Sequence, residues 1–445
     1  MDTLSGFQYA EIEFGKQGEV VRRDGFDALL ASVPQGDAPQ VIVLVHGWNN
    51  DMDDARRLYS GLAERLREVL DASPPSGIPA GPVMLLGVLW PSKKFADREL
   101  IPGGAASVAG GPVADAELIA RLDELRGVFD APDGEQRIDQ AKTLVDRLED
   151  SPAARDEFVE LMRGLVPEGA DADADDFARA FRGAPGRDVL AELEAPVLPV
   201  ESSDAETMEG GATAVGTDAT GSAAFSLSLG GIKAAAERFV NLTTYYQMKE
   251  RAGVVGINGL NPRLRELRSR RGDVGLHLVG HSFGGRLVTA AAAGSPGGPA
   301  VLQDTLTLLQ AAFSHYGFAD DYEPGHDGFF RRVVTDRLVR GPILITHSIR
   351  DTAVGYAYPL ASRLARQVAS GLGDANDRYG GMGRNGAQRT PEARQGQLRD
   401  VGAAYDFAGA SVHNLNADSV ILDHSDIRKP QIAYAILSAV SSARP

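Results

Sequence analysis

Between the apolar run Leu276-His-Leu-Val279 and a segment of helical character, Gly284–Ala293, stands the hexapeptide Gly280-His281-Ser282-Phe283-Gly284-Gly285. A strand that turns at once into a helix forces the residue between them into a strained backbone conformation. Small residues two before and two after it let the two backbones approach. The serine hydroxyl is then thrust out at the C-terminal edge of a sheet, at a helix N-terminus where negative charge is favoured. With 51 glycines among 445 residues, a bare Gly-x-Ser-x-Gly match says little. The strand before it and the helix after it carry the inference.

Other segments fit the same architecture. Gln40-Val-Ile-Val-Leu-Val45 and Val83–Trp90 are short continuous apolar runs, as expected of parallel strands covered on both faces. Between them Leu58, Leu62, Leu66 and Leu70 recur every four residues, a helix. Phe7, Tyr9, Ile12 and Phe14 suggest an edge strand or hairpin. Further on, the pattern predicts helices near Ala234–Ala252 and Asn261–Arg271. Strands are predicted at Gly275–Val279, Thr305–Ala312 and Pro342–Thr346. A helix at Pro359–Ser370, a strand at Ser419–Leu422 and a last helix at Pro430–Ser442 follow, with Gly371–Gln397 as a Gly-rich loop. Alternating strands and helices imply an α/β fold.

The segment Pro91–Gly230 is different. From Ala131 to Gly210 there are 21 acidic and 8 basic residues, most of the chain's net charge of -16. Leu118, Ile119, Leu122, Leu125 and Phe129 mark one amphipathic helix, and Ile138, Ala141, Leu144, Val145 and Leu148 mark another. Ser202–Ala224 has almost no large apolar side chain and reads as a flexible segment. We therefore expect a core of residues 1–91 and 231–445 with a helical cap, 92–230, inserted into it.

Composition excludes several functions. There is no cysteine, so disulfides, thiolate metal sites and a Cys nucleophile are out. The acidic balance disfavours nucleic acid and anionic membrane surfaces. No apolar run approaches the roughly 18 residues of a membrane span. The acidic N-terminus has no signal-like apolar region, so the expected location is the cytoplasm. Asp171-Ala-Asp173-Ala-Asp175 begins like a calcium loop but has Asp176 and Arg182 where Gly and Glu are needed. Gly381-Met-Gly383-Arg-Asn-Gly386 matches a dinucleotide fingerprint without the preceding strand. No metal and no cofactor is expected.

A second turn, His46-Gly47-Trp48-Asn49-Asn50, follows the first buried strand. Such a turn can aim backbone N–H groups at an oxyanion above the serine. The candidates are the N–H groups of Trp48 and Phe283, with Asn49 in reserve. The alternative is that His46 and Trp48 simply end a strand and pack.

The order strand–HGW, strand–GHSFGG, strand–Asp, strand–His resembles the α/β-hydrolase superfamily in its serine esterase and lipase branch. The resemblance covers Gln40–Pro91 and about Ala234–Pro445. It implies a mostly parallel sheet of about eight strands flanked by helices and a Ser-acid-His triad in that chain order. Of the eight histidines, only His413 and His424 then lie late enough for the base. His424, in DHSDIRKP after the strand expected at Ser419–Leu422, is preferred, with His413 second. The acid belongs after the strand GPILITH, which points to Asp351, 69 residues after Ser282 and 73 before His424. Asp320, Asp321 and Asp418 are its rivals. The implied activity is cofactor-independent hydrolysis of a small carboxylic ester through an acyl-enzyme, and the acidic cap favours neutral or cationic substrates over anionic ones. Lipase, thioesterase, peptidase and acyltransferase chemistry share the triad, and a non-catalytic binding protein is the alternative of a different class.

Overall fold

The apolar runs lie side by side in one ten-stranded sheet. The computed structural model describes residues 1–92 except 35, 37, 49 and 80, together with 115–166, 183–194, 231–351, 380–407 and 412–443. Its strands are β1 Asp2–Leu4, β2 Phe7–Phe14, β3 Val20–Arg22, β4 Gln40–Val45, β5 Val83–Leu89, β6 Gly275–His281, β7 Thr305–Leu309, β8 Ile343–His347, β9 Ala393–Gln397 and β10 Val412–Asn416. Their order is β1-β2-β5-β4-β6-β7-β8-β10-β9, with β3 also on β2. Only β1 and β3 run antiparallel to their neighbour β2. The chain is thus α/β, with a mostly parallel sheet flanked by helices. Among the described residues the sheet has ten strands where about eight were expected, because the N-terminal hairpin strands and β9 extend its edges.

The strands are apolar throughout because both faces are covered. Val41, Val43 and Val45 of β4 share one core with Leu276, Leu278 and the helices that follow β5 and β6. Ile42 and Leu44, pointing the other way, pack with Leu62, Leu66, Ile432 and Leu437 in a second core. The helices are α1 Asp24–Ser32, α2 Met52–Ala72, α3 Asp115–Glu124, α4 Gly134–Lys142, α5 Pro152–Arg163, α6 Gly186–Glu194, α7 Gly231–Val254, α8 Asn261–Arg270, α9 Phe283–Ala293, α10 Arg331–Thr335, α11 Met382–Asn385 and α12 Pro430–Ser442. Helices α2 and α12 cover the second face. On the first face α7 lies along α9, and α3, α5 and α6 pack against α7. Surface ion pairs, such as Arg126 with Asp123 and Glu135, absorb part of the acidic excess of this helical layer.

Three expectations are corrected. The strand before the last helix is Val412–Asn416, not Ser419–Leu422, which forms a turn and an irregular stretch. Its polar residues are tolerated because partners outside the segment satisfy them: Asn414 donates to the Ala387 carbonyl and accepts the Ala387 N–H. The stretch Gly371–Gln397 is not all loop, since it contains α11 and the edge strand β9. The strand near Thr305–Ala312 ends at Leu309 because Gln310 takes a positive φ of 43°. The helix expected at Pro359–Ser370, the segment Ser202–Ala224 and the acidic turn Asp171–Asp176 lie outside the described residues. Among the described residues no helix is long and apolar enough to cross a membrane.

Candidate active site

The strand order reverses at β4: its chain successor β5 lies on one side and β6 on the other. A parallel sheet opens a crevice beyond the carboxyl ends of its strands at such a point, and ligands bind there. Val45 stands opposite Gly280 in the register of β4 and β6. The two turns that follow, His46-Gly47-Trp48 and His281-Ser282-Phe283, therefore leave the sheet side by side at that crevice.

Ser282 sits between β6 and α9 with φ 56° and ψ -125°. A non-glycine residue in that region is strained, and its surroundings hold it there. Its N–H donates to Leu309 O at 3.0 Å, and its carbonyl accepts from Gly285 N at 2.9 Å and Ala312 N at 3.1 Å. The flanking glycines are needed for space: a Cβ on Gly280 would stand 2.3 Å from Gly284 O, and one on Gly284 2.3 Å from Val45 O. A Cβ on Gly47 would lie 2.6 Å from Ser282 Cβ and 3.2 Å from its Oγ. The first turn is thus in contact with the serine.

That turn is built rigidly. His46 is fully buried and stacks on Trp90 at 5.6 Å. Its Nδ1 lies 3.0 Å from Gly47 O, its Nε2 accepts the Trp90 N–H at 3.3 Å, and its own N–H donates to the Tyr59 hydroxyl at 3.0 Å. Burial pushes this imidazole down to about 4, so it stays neutral and keeps both bonds. Asn50 Nδ2 donates to Gly47 O and Trp48 O at 3.2 and 3.0 Å. Asp51 then caps α2 by accepting from the Asp53 and Asp54 N–H groups. The Trp48 ring meets that of Phe283 at 5.9 Å and that of Tyr245 on α7 at 6.1 Å. Phe283 opens α9, where the helix offers its N–H no partner. Asn49 lies outside the described residues.

Asp351 is fully buried four residues beyond β8. A buried carboxylate needs a cationic or donor partner, and it has one in His424, whose Nδ1 lies 3.0 and 2.9 Å from its two oxygens. The carboxylate can only accept, so Nδ1 carries the hydrogen and the Nε2 lone pair is left for another proton. Burial works against the charged form of His424, but the Asp351 carboxylate outweighs it and raises the imidazole above its usual value. His424 is attached to the serine turn through His281, whose Nε2 lies 2.9 Å from His424 O and whose ring centre is 4.8 Å from that of His424. Among the described residues Ser282 Oγ and His424 share no hydrogen bond; the imidazole stands beside the residue next to the serine.

The rival groups are engaged elsewhere. His413 is inside β10, paired in register with Leu344 and Arg394, its ring 5.0 Å from that of Phe407. Asp320 is about half exposed and 3.9 Å from Arg331. Asp321 accepts the Gly325 N–H in a surface turn. Asp418 accepts the Ile349 N–H at 2.8 Å, and its carbonyl accepts from Arg350 Nε at 3.1 Å. It therefore braces the segment between β8 and Asp351. Neither this brace nor the role of Tyr59 was readable from sequence, since each links distant segments. His281 left a usable signal: strand alternation puts it on the face of Val279, the face covered by the C-terminal segment that carries His424. Among the described residues no three His, Asp or Glu side chains are grouped to hold a metal ion.

No family model, curated protein or solved structure matches the chain.

Proposed function

We propose that this protein is a serine hydrolase of the α/β-hydrolase type that cleaves carboxylic esters, with Ser282 as nucleophile, His424 as base and Asp351 as its orienting acid. The reading is carried by one observation: the buried Asp351–His424 pair is tied to the strained serine turn at the crevice where the strand order reverses. The Oγ of Ser282 attacks the acyl carbon while His424 Nε2 takes its proton, and Asp351 stabilises the resulting imidazolium. The hydroxyl–imidazole contact is often long in a resting enzyme and tightens with substrate. The Trp48 and Phe283 N–H groups, with Asn49 in reserve, hold the oxyanion. The proton then passes to the departing alcohol and leaves an acyl-Ser282 ester. Water attacks that ester as His424 takes its proton, the proton returns to Oγ, and the carboxylic acid departs. The acidic balance of the chain favours neutral or cationic esters.

A fluorophosphonate probe should label the protein on Ser282, and Ser282→Ala should abolish both labelling and hydrolysis of p-nitrophenyl esters. Labelling that survives the substitution rejects the nucleophile. Inertness towards the probe and towards esters of short and long acyl chains favours a binding protein on this fold. A second expectation concerns the first turn. Gly47→Ala should lower kcat by about 10²–10³, the worth of an oxyanion donor, because its methyl group displaces either the serine or the turn. Steady-state kinetics beside a circular-dichroism spectrum checks this, and an unchanged kcat refutes it.

A further inference from the structure

Among the described residues His281 makes one polar contact with its side chain, and that contact is to His424. The residue is 6% exposed. Its Nε2 is 2.9 Å from His424 O, and since a carbonyl can only accept, Nε2 carries the hydrogen. Its Nδ1 is buried and has no partner among the described residues. A buried imidazole with one nitrogen unsatisfied is a costly way to fill space, and an aliphatic side chain would fill it without that cost. We propose that His281 is a positioning residue, which sets the place of His424 relative to Ser282 by clamping the His424 carbonyl from the residue adjoining the nucleophile.

The clamp and the nucleophile are consecutive residues at the end of β6. That strand is hydrogen-bonded on both sides, to β4 and β7, so its end is rigid. His424, by contrast, lies in an irregular stretch between β10 and α12. Asp351 holds the far side of its ring and the buried Ile421 and Ile427 anchor the stretch on either side, which leaves the His424 main chain between them to be held. The bond from His281 fixes that main chain, and the tilted ring contact at 4.8 Å limits rotation of the imidazole. The distance over which the serine proton must travel is thereby tied to the backbone of a single dipeptide. Loss of such alignment by about an ångström costs on the order of 10²-fold in rate. The imidazole stays neutral throughout, because burial, with the neighbouring His424, pushes it down to about 3. It neither donates a proton to the reaction nor competes with the base.

This inference rests on the triad reading, and the test separates the two. Inactivation by a fluorophosphonate gives kinact, which reports the chemical step, and KI, which reports binding, without knowledge of the natural substrate. In His281→Asn the amide reaches only to the level of Nδ1, whereas in His281→Gln it reaches that of Nε2 and can donate to the carbonyl. The Asn variant should lose 10–100-fold in kinact with KI within twofold of wild type, and the Gln variant should recover at least tenfold of a hundredfold loss. His281→Leu, which fills the space with no donor, should behave like the Asn variant and replaces it if that protein does not fold. An unchanged kinact in the donor-less variants, equal losses in the Gln and Asn variants, or an effect confined to KI would each overturn the clamp. A wild-type protein that the probe does not label removes the triad reading itself, and the clamp with it.

Discussion

Asp351→Asn should lower kcat, or kinact with a fluorophosphonate, by on the order of 10⁴ while the fold persists. The loss comes from the tautomer. In the native pair the carboxylate accepts from His424 Nδ1–H and leaves Nε2 bare. An asparagine amide can donate to Nδ1, which moves the ring hydrogen to Nε2, the atom that takes the serine proton in the proposed mechanism. The same substitution changes the pH profile. Asp351 raises the His424 imidazole above its ordinary value near 6.5, and the base must be neutral to act. The acid limb of wild-type kcat/KM should therefore lie above pH 6.5. It should move to lower pH in the Asn variant, because the group that stabilised the imidazolium has gone. A variant within tenfold of wild type, or a limb that does not move, would show that Asp351 does not orient the base.

How much of this was legible in the sequence depends on the range of the interactions involved. The buried strands β4, β5, β6 and β8 and the helices α2, α7, α9 and α12 could be read because each carries its own pattern: continuous apolar runs for strands covered on both faces, and a 3.6-residue period for helices. The serine turn was readable for the same reason, since its strain and its glycines are local. Local pattern is silent where partners lie elsewhere in the chain. Val412-His-Asn-Leu-Asn416 is polar by local standards, and the neighbouring Ser419–Leu422 looks more like a strand. The true strand is stabilised by parallel pairing to β8 and β9 and by the Ala387 backbone that satisfies Asn414. The choice of His424 was unaffected, because it follows either candidate strand. Asp351 was approachable only through chain order. Its choice over Asp418 turns on which carboxylate reaches the imidazole, and that is a property of the folded loops.

Between pH 6.5 and about 4 the protein should lose most of its stability, and buried histidines supply the reason. His46 and His277 are pushed down to about 4 and His281 to about 3, in each case first by burial. His277 shows how they are held: it spans the sheet centre, with Nδ1 2.9 Å from Thr305 Oγ1 and Nε2 2.7 Å from Gln40 Oε1. In the unfolded chain all three take up protons near 6.5. Their neutral native forms therefore contribute stability that is fully present above that pH and drains away as the pH falls towards 4, where the native forms protonate in turn. Each proton bound only by the unfolded chain lowers the unfolding free energy by about 1.4 kcal/mol per pH unit, so three give up to about 4 kcal/mol per unit. Two units of such a slope rival the 5–15 kcal/mol that is usual for a folded domain. His424 acts in the opposite sense, since its raised value makes the native state the better proton acceptor; its contribution is present below 6.5 and offsets part of one proton. Paired carboxylates such as Glu11 beside Arg56 and Glu392 beside Arg331 are held below the usual carboxylate range, although burial opposes this in Glu11. They lose their contribution only at more acid pH. Urea titrations followed by Trp fluorescence suit the measurement, because Trp90 is fully buried against His46. The slope of stability against pH should become shallower in His277→Gln by up to about 1.4 kcal/mol per pH unit, the share of one proton. A stability that stays level from pH 6.5 to 4.5 would mean that these imidazoles are not held neutral in the folded protein. The rigidity ascribed to the His46 turn and the permanent donor role of His281 would then lose their basis.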